Sequence, residues 1–268
     1  MAETQRKVRL IAHTQLTQEF FDEAGDGFHD DDLNQLASDG QVVALTAIRT
    51  CYSANKPSEI VAKEGAKYFG SKASDGGAGT DADRLFRHIF ASKHTSTLEH
   101  LTFTFAIEGV SRALLAQLTR HRVGFSFSVQ SQRYVRMGSD DKIRGFDYVV
   151  PEKVKDDAKK IEVEDEIASG FYYDKSADEI FKEAMWNAQQ AYDELREAGV
   201  SAEDARAVLP NAAATNLVMT ANLTALLSFY SKRKKGRGAQ AEITELAEAL
   251  RREVVDVEPW TSQFFEEV

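Results

Sequence analysis

The chain has 268 residues, 43% of them hydrophobic and 10% aromatic, and a formal net charge of -10. That length supports a sizeable buried core, and the composition excludes a disordered chain or a small scaffold that needs covalent staples. The negative balance argues against general affinity for nucleic acid or membranes but not against a local basic pocket. With one cysteine, Cys51, no signal-peptide-like segment and no apolar run of membrane length, the expectation is a soluble, reduced, cytoplasmic protein.

In chain order, the branched and apolar residues 8–14 (VRLIAHT) predict a strand. Residues 41–53 (QVVALTAIRTCYS) predict a helix running into a loop, with Cys51 read as buried packing rather than as a nucleophile. Residues 70–80 (GSKASDGGAGT) predict a flexible loop, which lacks the Lys-Ser/Thr ending of a phosphate loop. Asp81 is the expected cap of a helix that sets Leu85, Phe86, Ile89 and Phe90 on one side. Residues 101–107 (LTFTFAI) alternate as a half-buried strand does. A helix is predicted over 110–122 from the stripe Val110, Leu114, Leu115 and Leu118, so that Arg120 to Arg122 fall at its end or just past it. The charged stretch 152–166 reads as solvated surface.

Ser176 and Glu179 form a capping box that opens a long helix to Gly199. Ser201 to Asp204 repeats the arrangement, and Pro210 stops that shorter helix. Asn222 begins a helix through Arg233, KKGRG breaks it, and residues 239–255 form the last long helix. No repeat and no linker interrupts the pattern, so the expectation is one helix-rich domain over 1–268 with a mixed sheet.

The chemistry concentrates in one window. From Ser111 to Gly138 there are five arginines (Arg112, Arg120, Arg122, Arg133, Arg136) and no Asp, Glu or Lys. Guanidinium groups keep their charge when buried and bind phosphate or carboxylate through paired hydrogen bonds. Serine hydroxyls and glutamine amides in the same window add neutral donors, which completes the inventory of a site for an anionic ligand. The competing reading pairs these arginines with acids distant in sequence. His121, between Arg120 and Arg122, should have a lowered pKa if they are close in space. His88, His94 and His100 are spaced by six and share no helical face, so no metal site is read from them. Residues 94–100 (HTSTLEH) read as an ordinary capped loop. Arg206, among Ala205, Ala207, Val208 and Leu209, calls for a specific anionic partner. Arg233, near a helix end, is favoured there by the dipole or points into a site. No G-x-G-x-x-G follows a strand, so no Rossmann fingerprint supports a dinucleotide. The remaining alternative is a module for phosphorylated ligands or single-stranded nucleic acid, with Phe125, Phe127 and Tyr134 for stacking.

The segment RHRVGFSFSVQSQRYV resembles the signature of the flavin-dependent thymidylate synthases, Arg-His-Arg followed after seven or eight residues by Ser, with Arg and often Tyr just beyond; here eight residues separate Arg122 from Ser131. HTSTLEHLTFTF, ARAVLP and NLTALLSFYSKR, continuing to AQAEI, resemble three further blocks of that family in the same order. The resemblance implies an α+β fold, helix-rich with a central, mostly antiparallel sheet, and not a Rossmann fold. It implies reductive methylation of dUMP to dTMP, with FAD as cofactor, NADPH and 5,10-methylenetetrahydrofolate as co-substrates, and no cysteine nucleophile. It assigns dUMP to Gln117, Leu118, Thr119, Arg120, Val129, Gln130, Ser131, Gln132, Arg133 and Arg206. Arg233 would polarise the uracil. His94, Ser96, Glu99, Arg120, His121, Arg122, Asn222, Leu223, Thr224 and Ser228 would contact FAD. It also implies a homotetramer with active sites at subunit junctions and no nucleic-acid or membrane partner.

Overall fold

The computed structural model describes residues 1–25, 36–156, 158–165 and 170–268. Its strands are β1 (Lys7–His13), β2 (Thr102–Ser111), β3 (Phe125–Val129), β4 (Lys160–Glu164), β5 (Tyr172–Ser176) and β6 (Ala214–Asn222). Four of them form an antiparallel sheet in the order β1-β2-β6-β3, while β4 and β5 make a separate hairpin. The helices are α1 (Gln18–Gly25), α2 (Asp39–Tyr52), α3 (Ile60–Phe69), α4 (Asp81–Ala91), α5 (Arg112–Leu118), α6 (Ala177–Glu197), α7 (Ala202–Ala205), α8 (Leu223–Arg233), α9 (Ala241–Val257) and α10 (Ser262–Glu267).

Period-two alternation gives the sheet two unlike faces. Phe103, Phe105 and Ile107 of β2 and Leu217, Met219 and Ala221 of β6 are buried in a core shared with α2, α4, α5, α8 and α9. The opposite face carries Thr104, Ala106, Asn216, Val218, Thr220, Ser126 and Ser128, none of which is buried. A hydroxyl pair, Thr104 and Thr220 at 2.9 Å, crosses that open face. A second apolar cluster, with Met137, Phe146, Tyr148, Met185 and Tyr192, packs beneath α6.

Capping sets several boundaries. Thr80, not Asp81, caps α4: its hydroxyl accepts from the Asp83 amide, and the Asp83 carboxylate accepts from the Thr80 amide. Asp81 instead binds Arg84 at 2.7 Å and Ser74 at 2.8 Å. With Asp75 paired to Arg87 at 3.0 Å, these bonds tie down the loop expected to be flexible. Ser111 caps α5, so Val110 belongs to β2 and the helix is shorter than its apolar stripe suggests. Asn222 caps α8 and Ser176 caps α6, as expected. The charged stretch expected at the surface is largely exposed there, with residues 152–154 in a 3-10 turn and 160–164 in a strand. Cys51 is exposed rather than buried.

Candidate active site

The chain leaves α5 through a turn, Thr119 to Gly124, that rests on one face of α8. The Asn222 amide donates to the Gly124 carbonyl at 3.1 Å. The rings of His121 and Phe229 meet edge-on with centroids 4.9 Å apart. The Nε–H of Arg233 donates to His121 Nε2 at 3.3 Å. Asn222, Ala225, Phe229 and Arg233 are three or four residues apart, so they share one side of the helix. Gly124 has φ 74, and a Cβ there would lie 2.7 Å from the Ala225 Cβ and 2.8 Å from the Asn222 amide nitrogen. Only glycine permits this approach.

Burial first, and then the charges of Arg233, Lys232 and Arg120, lower the pKa of His121 to about 4. The imidazole is therefore neutral near pH 7 and accepts from Arg233. The lowered pKa agrees with the sequence reading, but its principal charged partner is Arg233, distant in the chain, rather than Arg122.

Other parts of the chain meet this end of the sheet. The Thr224 hydroxyl donates to the Thr95 carbonyl at 2.8 Å, which joins α8 to the turn that carries His94. The Gln117 amide donates to Gln240 Oε1 at 2.6 Å and ties α5 to the segment before α9, whose Glu242 accepts from Ser111 opposite Ala214, at the other end of the sheet. Arg120, Arg122, Ser96, Glu99 and Ser228 are exposed. Leu118 and Leu223 are fully buried, backbone included, and present no surface to a ligand within one chain. The Thr119 hydroxyl is committed to the Leu115 carbonyl at 2.9 Å.

A second cluster forms where β6 begins. The Arg112 amide donates to the Ala213 carbonyl at 3.0 Å, tying the start of α5 to the 206–213 segment. Burial, and then the neighbouring Arg206, penalise the charged form of Arg112. Among the described residues neither arginine has an ion-pair partner. Arg206 stands beside a second cation, and the anionic partner expected for it is not found among the described side chains. Arg133 does pair with a distant acid, Glu203, at 2.9 Å, and both side chains remain about half exposed. Gln132 is buried, yet its side-chain nitrogen has no hydrogen-bond partner. Gln130 is held by Asn216, whose side-chain amide donates to it at 3.2 Å; Val129 pairs with Leu217 in the sheet.

The two clusters are not adjacent within one chain. Arg112, Ser131 to Arg133 and Arg206 gather at the Ala214 end of β6. His94, Arg120 to Arg122 and Arg233 gather with Asn222 at its other end. A nine-residue strand is about 27 Å from first to last residue at roughly 3.4 Å per residue. The eight residues between Arg122 and Ser131 include β3, which runs along β6 and carries the signature from one end to the other.

Both ends suit anions. A surplus of donors, with Arg133 alone of the three arginines paired to an acid among the described residues, and a buried amide nitrogen left without an acceptor, fit a phosphate at the Ala214 end. At the Asn222 end, Gly124 lets the turn pack closely against the N-terminus of an 11-residue helix, and among the described residues Arg120 and Arg122 have no ion-pair partner, which fits a diphosphate. Arg112 and Gln240 were not singled out as ligand or supporting groups by the signature. Arg112 lay within the acid-free window; nothing local marks Gln240.

The fold and these arginine clusters define an α+β domain, without a Rossmann fingerprint, whose basic groups suit anionic ligands. Residues 32–260 match the family model described as thymidylate synthase complementing protein. The flavin-dependent thymidylate synthase of Geobacter sulfurreducens is 37% identical over 227 residues, covering 85% of this chain and 82% of the relative. That of Haloarcula marismortui is 36% identical over 194 residues, covering 69% and 75%. The crystal structure of the UMP/dUMP methylase PolB from Streptomyces cacaoi, bound with 5-Br dUMP, superposes with a TM-score of 0.66 over 99% of this chain and 97% of that one, at 22% identity. The chain belongs to the flavin-dependent thymidylate synthase family.

Proposed function

We propose that the protein converts dUMP to dTMP, with 5,10-methylenetetrahydrofolate as one-carbon donor, NADPH as reductant and FAD as cofactor, and that each active site joins two copies of the chain. The observation that carries this reading is the division of the signature between the two ends of β6. A two-fold axis through the middle of the open sheet face would bring the Ala214 end of one copy to the Asn222 end of the other, twice over. Two such pairs make the homotetramer implied by the resemblance.

In this arrangement Arg112, Arg206 and Arg133 grip the nucleotide phosphate, with Ser131 and the Gln132 amide as neutral donors. Gln117, Arg120 and Arg233 come from the facing copy. Arg233, oriented by neutral His121, sets its guanidinium against the uracil and favours the electron-rich ring that attacks the one-carbon unit. Arg120 and Arg122, with the N-terminus of α8, hold the flavin diphosphate, while His94 and Thr224 border its ring. Bound FAD supplies the hydride that completes the methyl group. Cys51 takes no part, so the chain contributes orientation and electrostatics rather than a covalent bond.

The test is turnover by purified protein given FAD, dUMP, NADPH and 5,10-methylenetetrahydrofolate. The reading requires dTMP formation that depends on flavin and persists in Cys51→Ser. Protein that takes up no FAD, or that loses turnover in Cys51→Ser, contradicts it.

A further inference from the structure

Tyr52, the last residue of α2, is 58% exposed, yet its hydroxyl is 2.8 Å from His94 Nδ1. The two rings meet edge-on, with centroids 5.9 Å apart and planes at 89°. Both residues have fixed supports. The end of α2 is anchored by Glu64, which accepts from Arg49 Nε at 2.6 Å, from the Asn55 amide at 2.9 Å and from the Ser53 hydroxyl. The His94 amide donates to the Ile89 carbonyl at 3.1 Å, and its carbonyl accepts from the Thr97 hydroxyl at 3.2 Å. Lys93, with φ 62, makes the sharp turn that delivers the imidazole.

We propose that Tyr52 is a positioning residue that fixes His94 in one tautomer and one ring orientation. A phenol is a far better donor than a neutral imidazole N–H is a partner for its oxygen, so Tyr52 donates and Nδ1 accepts. The ring proton then resides on Nε2, and His94 presents a fixed N–H donor away from Tyr52. This rests on the reading of His94 as a flavin contact. It adds that flavin affinity depends on a side chain which itself touches no cofactor.

The experiment uses the full-length chain with ¹⁵N-labelled histidine, as wild type and as Tyr52→Phe, which keeps the ring and removes only the hydroxyl. Long-range ¹H–¹⁵N spectra should show wild-type His94 as the Nε2–H tautomer and the variant as a mixture. FAD titration should give affinity about fivefold weaker in Tyr52→Phe, the size of one net hydrogen bond. The same substitution made on His94→Ala should have no further effect. An Nδ1–H tautomer in wild type, an unchanged tautomer in the variant, or equal affected affinities in both backgrounds overturns the proposal while leaving the flavin reading intact. A wild-type chain that binds no FAD overturns the flavin reading and with it the link to affinity, while the spectra alone decide whether Tyr52 fixes the His94 tautomer. Thermal melting of each variant identifies any loss of fold.

Discussion

Arg233 donates to His121 across 112 positions of sequence, at 3.3 Å. The bond needs a neutral imidazole, which burial and the surrounding cations provide by lowering its pKa to about 4. Following the His121 ring protons by NMR should give a midpoint near 4 in wild type, and one closer to the ordinary 6.5 in Arg233→Met. An unchanged midpoint in the variant removes Arg233 as a cause.

The same shift predicts how stability depends on pH. The unfolded chain takes up a proton on this histidine near pH 6.5, the folded chain only near 4. Between these values the unfolded state binds more protons, so the histidine's contribution is full above about 6.5 and is lost progressively as pH falls to about 4. Urea unfolding at intervals from pH 7 to 4 should show this slope reduced in His121→Gln. An identical slope in that variant assigns the pH dependence to other groups.

Two like charges, Arg112 and Arg206, stand near each other, and neither has an ion-pair partner among the described residues. Arg112→Met should leave the melting temperature unchanged or raise it, because it removes a penalised charge. It should weaken dUMP binding tenfold or more, about the size of one hydrogen bond to a charged group. Calorimetric titration with dUMP checks this; unchanged affinity together with lost stability makes Arg112 a structural residue instead.

Gly124→Ala should destabilise by about 2 kcal/mol, because it combines a left-handed backbone with a Cβ pressed against Ala225 and Asn222. Urea unfolding measures it. A neutral effect means that the turn can move away from α8.

Glu258 is buried and accepts from the Gly40 amide at 3.1 Å, the Trp260 indole at 2.6 Å and the Ser38 hydroxyl. Glu258→Ala leaves these donors without an acceptor and should reduce stability by at least roughly 2 kcal/mol. Glu258→Gln, which keeps one acceptor oxygen, should reduce it less. Equal losses in urea unfolding imply that packing rather than hydrogen bonding sets the effect.

Much of the fold is legible in the sequence where one local signal dominates. The capping residues of α6 and α8, the branched and apolar run of β1, the alternation in β2, and the part of the α5 stripe from Leu114 to Leu118 correspond to the observed elements. β6 is harder to read, because its alternation runs directly into the Asn222 cap and the helix beyond it. β3 alternates Phe with Ser, yet the same serines suit ligand binding, and composition cannot choose between the two. Thr80 took the cap from Asp81 because its partner Asp83 sits at the third helical position, whereas Asp81 finds Arg84 and Ser74. For the site, the residue types were legible and their grouping was not. Pairing with β6 is a long-range contact, and that pairing alone separates Arg120 from Ser131 by the length of a strand.

The division of the site is tested most directly by mixing two defective chains. Arg206→Met damages the Ala214 end, and Arg233→Met the Asn222 end. Each variant alone should form almost no dTMP. When they are unfolded together and refolded at equal amounts, random pairing makes half of the two-fold pairs mixed, and each mixed pair contains one site with both arginines intact. Turnover should therefore return to about a quarter of the wild-type value under the same refolding. No recovery, with mixed oligomers demonstrated by mass spectrometry, would mean that both arginines serve a site within one chain.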